Sequence, residues 1–183
     1  EEYISRVRTG VAFSVSESRN TGIIVDMEPD DAYFARIASL VDLGAIKAAG
    51  LNVIVDCMYG AGGGYVPALL SGGKTTVREL HSDRNPAFPG IEQPEPIARN
   101  LTEISSAVST DGASVGIALD GDGDRVGIID ERGQFITTLD TFSILAQYML
   151  EQKQLRGPLV KGVYQLTASF NALPALNAGE FEA

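Results

Sequence analysis

Residues 114–119 read SVGIAL, residues 120–125 read DGDGDR, and residues 126–129 read VGII. Two apolar runs of strand length flank a short loop of alternating acid and glycine. Ser114–Leu119 is therefore expected to be one strand and Val126–Ile129 a second. The loop between them hangs from the C-terminal end of the first, which is where open α/β folds place their ligands. Three carboxylates in five positions repel one another. At about 4 Å each pair costs roughly 1 kcal/mol in water and about 4 kcal/mol near a protein surface. Such a cluster folds only with compensation, from protons, a cation or basic neighbours. Mg²⁺ takes carboxylate oxygens at about 2.1 Å, and Gly121 and Gly123 let the backbone curl around a small ion. Asp120, Asp122 and Asp124 are the candidate metal ligands.

Three other patterns compete for the same residues. A solvated acidic turn needs fewer acids than these. An EF-hand would use Asp120, Asp122 and Asp124 as positions one, three and five and Glu131 as position twelve. Its sixth position, however, requires glycine where Arg125 stands, and its flanks are helices rather than strands. An aspartyl-phosphate phosphatase would use Asp120 as nucleophile and Asp122 as acid/base, but little chain follows Asp124 to complete that fold.

Upstream, acids at 28–31 with Pro29 mark a helix start, and Tyr33, Ile37, Leu40 and Val41 recur at helical spacing until Gly44 and Gly50. Leu51–Val55 reads as a buried strand, Gly60–Gly64 as a glycine loop, Val66–Leu70 as a helix and Thr75–Leu80 as a strand. The glycine loop fits a tight strand–helix turn. It also stands where a phosphate-cradling loop would, although it matches neither GxGxxG nor a P-loop. Residues 82–97 form a long connection with four prolines, whose acids Glu92 and Glu95 are expected to be solvated. Asn100 with Glu103 resembles a capping box, ahead of the stripe Leu101, Ile104 and Val108. Beyond the second strand, 131–133 is a turn, Leu139–Leu150 an apolar helix, Leu159–Tyr164 a strand and Ala168–Leu176 a helix. Residues 11–15 and 23–25 suggest two short strands joined by the polar stretch 16–22. Alternating strands and helices imply a layered α/β domain. His81 reads as a lone loop histidine, and Cys57 as buried packing.

The 183 residues carry 24 acids against 14 bases, a net charge of −10. That balance argues against nucleic acid as a partner, since such binding neutralises phosphates with Lys and Arg, and against anionic membrane surfaces. With Cys57 the only cysteine, no internal disulfide forms, and a cytoplasmic setting is expected. No apolar run has the roughly 18 residues of a spanning helix.

DGDGDR after an apolar strand resembles the metal loop of the α-D-phosphohexomutases, the phosphoglucomutase/phosphomannomutase family. The resemblance extends over about residues 26–176. DAYFARIASLVDLGAIKAAGLNVIVDCMYGAGGGY, 31–65, is similar to the entry into that family's second domain, with Tyr59 where an HGAG-like loop has histidine. NPAFPGIEQPEPIARNL, 85–101, resembles its FPG…PEP segment, and ITTLDTFSILAQYML, 136–150, the helix after the metal loop. LVKGVYQLTASFNAL, 159–173, looks like the opening of the third domain. The resemblance implies a three-layer α/β domain, a mixed sheet between helices, with partial flanking domains. The expected division is 1–28 as tail of domain 1 and linker, 29–155 as metal-binding domain 2, and 156–183 as the start of domain 3. It also implies an enzyme that interconverts hexose 1-phosphate and hexose 6-phosphate through a phosphoserine and a bisphosphorylated sugar. Asp120, Asp122 and Asp124 would hold Mg²⁺ beside that phosphoserine, and Arg125 would contact phosphate rather than act as nucleophile. The alternative for Arg125 is an ion pair inside the acid cluster. No TASHNP-like serine loop precedes the metal loop; Ser14, Ser16 and Ser18 do not match it, and Ser169 lies on the wrong side. The chain is thus expected to be a fragment that binds metal without turning over hexose phosphate, its partners being the remaining mutase domains. A non-catalytic metal-binding or interaction module stays open as a second reading, and the phosphatase as a third.

Overall fold

The computed structural model describes residues 15–22, 25 and 30–157. By its internal contacts the chain divides into two units, Glu1–Val41 and Asp42–Ala183. In the first, the polar stretch expected to join two strands is helical: α1 spans Val15–Asn20 and closes where the Gly22 N–H donates to Arg19 O at 3.1 Å. The strands expected on either side fall almost wholly outside the described residues, and the strand expected for 159–164 and the helix expected for 168–176 lie wholly outside them. Helix α2 spans Asp30–Leu40, with Asp30 and Asp31 in its first turn and no fully buried residue.

The expected helix does not run on to Gly44. Asp42 begins a separate helix α3, Leu43–Ala48, because its Oδ1 accepts the Ala45 N–H at 2.9 Å and caps the new turn. The chain then builds a five-stranded mixed sheet. Its strands are β1 (Asn52–Asp56), β2 (Thr76–Leu80), β3 (Val115–Leu119), β4 (Val126–Ile129) and β5 (Phe135–Ile136), in spatial order β2-β1-β3-β4-β5. β1 pairs in parallel with β2 and β3, while β3–β4 and β4–β5 are antiparallel. Strand β5 escaped the reading of the sequence because two residues are too few for a periodicity.

Helices cover both faces. On one, Ile104 and Val108 of α5 (Thr102–Asp111) pack with Leu101 against Ile54, Met58, Ala118 and Ile129. Burying such a side chain contributes about 1.5–3 kcal/mol. Gly116 is what lets α5 sit this close, since a Cβ there would lie 2.8 Å from Val108 Cγ2 and 3.0 Å from Ile129 Cβ. On the other face Val53, Val55 and Cys57 pack with Val66 of α4 (Tyr65–Leu70), Val77 and Ile117. Helix α3 is tied to the start of β2, its Lys47 O accepting the N–H groups of Lys74 and Thr75 at 2.8 and 3.0 Å. Helix α6 spans Thr138–Gln147 and starts where the Thr137 hydroxyl accepts the Asp140 N–H. Among the described residues no helix is long and apolar enough to cross a membrane.

The capping box expected at Asn100 does not form. Asn100 lies in a 3₁₀ turn, Ala98–Asn100, and its Nδ2 donates instead to Gln93 O at 2.7 Å and Glu95 O at 2.9 Å. The side chain that could have capped α5 fastens the proline-rich connection.

Cys57 is fully buried, as expected, with its thiol donating to Glu79 Oε1 at 3.6 Å. Burial, then the Glu79 charge, pushes the thiol from 9.0 up to about 12. A folded-state pKa above the unfolded one means stability that is whole below about pH 9 and lost as pH rises through about 12. Urea midpoints between pH 8 and the alkaline limit should fall for the wild type more steeply than for Cys57→Ala. Equal slopes would remove the thiol from the alkaline transition.

Candidate metal centre

Because β1, β2 and β3 run parallel, their C-terminal ends share one edge of the sheet. Asp56 stands opposite Leu80 on one side and Ala118 on the other. Three loops therefore converge there: 57–64, 81–97 and 120–125. Of the five non-glycine residues with positive φ among those described, Met58, Tyr59, His81 and Phe88 lie in the first two. Left-handed backbone at such residues costs about 1–3 kcal/mol each and persists only where surroundings enforce it.

Hydrogen bonds supply that enforcement. The Tyr59 N–H donates to His81 O at 2.8 Å, and the Asn85 N–H to Tyr59 O at 2.9 Å. Beneath them the buried Asp56 accepts the Met58 N–H at 2.9 Å. His81 was expected to be a lone loop histidine. It is instead half-buried between two carboxylates, Nδ1 lying 2.9 Å from Asp56 Oδ1 and Nε2 3.3 Å from Glu103 Oε2. The glycine loop in turn grips the aspartate loop, the Ala61 N–H donating to Gly121 O at 2.9 Å. Gly60 permits that approach, because a Cβ there would overlap the Gly121 carbonyl. The Gly64 N–H is taken by Glu79 Oε1 at 2.9 Å, which leaves the turn unsuited to an anion at that N–H. From the third side the Gly121 N–H donates to Pro94 O at 3.2 Å.

Held this way, the aspartate loop brings its three acids together. One carboxylate oxygen each of Asp120, Asp122 and Asp124 lies within 4.8 Å of the others, the one such grouping of three among the described residues. Asp120 is buried, whereas Asp122 and Asp124 face solvent. An open cleft of 290 Å³ lies beside them, lined by Gln93, Pro94, Glu95, Asp120, Gly121, Asp122 and Arg125. Three hard oxygen donors, two open to solvent, match the chemistry of a small divalent cation that keeps part of its water shell.

Arg125 takes the ion-pair position. Its Nε lies 2.8 Å from Asp120 Oδ2 and 3.5 Å from Asp124 Oδ1, while its Nη1 lies 2.9 Å from Glu95 Oε1. Its backbone N–H also donates to Asp120 Oδ1 at 3.0 Å. Burial works to raise the Asp120 carboxyl, but the Arg125 backbone and guanidinium outweigh it and hold the group below the usual range. Asp124 moves the other way, raised by the hydrogen bond it shares with Asp120 and then by the Asp122 charge. The guanidinium is itself raised, by Glu95 first and then Asp120. Glu95 was expected to be solvated; it is mostly buried and ion-paired. Its flanking prolines were the signal in the sequence. Pro94 and Pro96 carry no N–H, so the carbonyls around them need donors from elsewhere, and Asn100 and Gly121 provide them.

Residues 31–133 match the family described as phosphoglucomutase/phosphomannomutase, alpha/beta/alpha domain II. A probable phosphoglucosamine mutase of Methanococcoides burtonii is 37% identical over 123 residues, 67% of this chain and 28% of its own length. A phosphoglucomutase/phosphomannomutase of Thermococcus kodakarensis is 38% identical over 122 residues, 66% of this chain and 26% of its own. The chain thus spans little more than a quarter of these relatives. The crystal structure of a phosphoglucomutase/phosphomannomutase family protein from Burkholderia thailandensis superposes with a TM-score of 0.58 at 29% identity, covering 69% of this chain and 27% of the other.

The Gly60–Gly121 approach is open to direct test. Gly60→Ala forces a methyl group against a backbone carbonyl and should cost about 1–3 kcal/mol of stability. Gly44→Ala, where the backbone is not left-handed and a Cβ would meet nothing closer than Asp42 Oδ1 at 3.4 Å, is the control without a clash. A loss at Gly60 no larger than at Gly44 in urea denaturation would contradict the packed contact.

Proposed function

The chain belongs to the phosphoglucomutase/phosphomannomutase family, and from that premise we propose that it is the metal-binding domain of a phosphohexomutase. Asp120, Asp122 and Asp124 hold Mg²⁺ at the mouth of the cleft. The observation that carries this reading is the convergence of their three oxygens within 4.8 Å, on a loop braced from both sides. In the whole protein a phosphoserine outside this chain passes its phosphoryl group to a hexose phosphate, and the bisphosphorylated sugar returns the other. A magnesium ion in this site would neutralise charge on the transferring phosphoryl group.

The residues of this chain do the positioning. The Gly60–Ala61 turn and Pro94 fix the loop backbone, so that the Asp120 and Asp122 carboxylates stand preorganised rather than gathered on demand. Arg125, raised on the rim with a planar set of donors, suits contact with a phosphate. Buried Asp120 anchors the site, and exposed Asp122 and Asp124 admit the ion with its water. The division into 1–28, 29–155 and 156–183 accords with this role, the middle part being the family's second domain and its flanks belonging to neighbouring domains. Taken alone, the 183 residues bind metal without turning over sugar phosphate. A cytoplasmic sugar-phosphate metabolism is the setting that suits the activity.

Calorimetric titration separates this reading from a plain acidic turn. Mg²⁺ should bind the wild type and raise its melting temperature, since a ligand selective for the folded state adds apparent stability. Asp122→Asn, which keeps side-chain size and leaves the buried Asp120 network intact, should lose at least tenfold in affinity, about 1.4 kcal/mol. Millimolar Mg²⁺ without effect on either protein would overturn the assignment.

A further inference from the structure

Asp120 is 1% exposed, and a buried carboxylate needs a partner. Both of its oxygens are engaged by one residue: Oδ1 by the Arg125 backbone N–H and Oδ2 by Arg125 Nε. The same Nε lies 3.5 Å from Asp124 Oδ1, so the guanidinium contacts two of the three candidate ligands. A divalent cation there would face a full positive charge at short range, with twice the repulsion of two unit charges. Arg125 and a metal therefore compete for Asp120 Oδ2. The guanidinium also has somewhere to go. Glu95 Oε1 already holds Nη1 at 2.9 Å, and Glu95 is itself fixed: Asn100 Nδ2 donates to its carbonyl at 2.9 Å, and the Ile97 N–H does so at 2.8 Å.

We propose that Arg125 is a stand-in cation on Asp120 which the arriving metal displaces, and that Glu95 is the positioning residue that receives the displaced guanidinium. The proposal rests on the metal-binding reading above and adds an exchange of partners to it. The backbone bond to Oδ1 is kept, the Nε bond to Oδ2 is given up, and the Glu95 pair is retained or strengthened. Metal loading would thereby turn Arg125 from a counter-ion of the acid cluster into a rim group free to meet an anion. A fixed structural clamp predicts the opposite dependence of metal affinity on Arg125.

The test is calorimetric Mg²⁺ affinity in the full 183-residue chain, read beside the melting temperature without metal. Arg125→Ala removes the competitor. It should bind Mg²⁺ about three- to tenfold more tightly, given the modest worth of a half-exposed ion pair, while its metal-free melting temperature falls. Arg125→Gln keeps hydrogen-bond donors without the charge and should also bind more tightly, which guards against a folding defect in the alanine variant. Glu95→Gln leaves the guanidinium more committed to Asp120 and should weaken Mg²⁺ binding about threefold. In an Arg125→Ala background the same Glu95 change should have less than about half that effect, because it acts through Arg125. Weaker binding in both Arg125 variants would overturn the proposal, as would an equal Glu95 effect in both backgrounds. If wild-type binding is absent or indifferent to Asp122→Asn, the metal reading itself fails and takes the proposal with it. If binding depends on Asp122 but falls with Arg125, the exchange alone is wrong.

Discussion

Everything at the edge of this sheet answers to the charge on Asp120. A carboxylate at the end of a strand, closed off from water and next to two more, is unstable unless its surroundings compensate it. The chain compensates with one residue five positions on. The Arg125 backbone N–H takes one oxygen and its guanidinium the other. That double contact closes the loop on itself, and the hydrogen bond from Asp120 N–H to Arg125 O, at 3.4 Å, completes the turn. The short loop then leads directly into β4, which pairs antiparallel with β3 through Leu119 and Val126. Electrostatics and strand pairing thus fix the same geometry.

The rest of the domain makes that loop rigid. Strand β1 is buried on both faces and supplies the frame on which β2 and β3 lie parallel. The consequence is a common edge for three loops that are far apart in sequence. Strain in the 58–59 and 81–88 backbone is tolerated because Asp56, His81 and Glu103 form a chain of polar contacts from β1 across to α5. Two carbonyl contacts pass the rigidity on: Gly121 O to the glycine turn and Gly121 N–H to the proline loop. Gly121 is therefore held from both sides, with Pro94 Cγ only 3.1 Å from where its Cβ would stand.

Much of this was legible in the sequence, and the reasons differ from element to element. The strands 52–56, 76–80, 115–119 and 126–129 are short apolar or alternating runs bounded by glycine and acid, the clearest periodic signal a chain can carry. The aspartate cluster was legible because repulsion makes it conspicuous. Three of the misread residues are ones whose side chain serves a distant partner. Asn100 has the spacing of a helix cap, but two carbonyls of a proline-rich loop compete for its amide and win. His81 and Glu95 looked solvated because their partners lie 25 and 30 residues away in the chain. Asp42 splits one expected helix into two, since local capping outweighs continuation of an apolar stripe with no buried position. The helix at 15–20 lies in a polar stretch whose periodicity gave no warning.

The claim on which the account turns is that the cation sits on the aspartate loop rather than on the diffuse acidity of a chain with net charge −10. Substoichiometric Mn²⁺ in place of Mg²⁺, followed by amide relaxation in nuclear magnetic resonance, locates it directly. Broadening should begin at Gly121, Gly123 and Arg125 and extend next to Ala61, whose N–H donates to Gly121 O, and Glu95, whose carboxylate holds Arg125. Ile104 and Val108, in the helix packed on one face of the sheet, should stay sharp, and excess Mg²⁺ should reverse the effect. Broadening spread over exposed acids such as Asp31, Asp83 and Glu151, with no preference for residues 120–125, would contradict it.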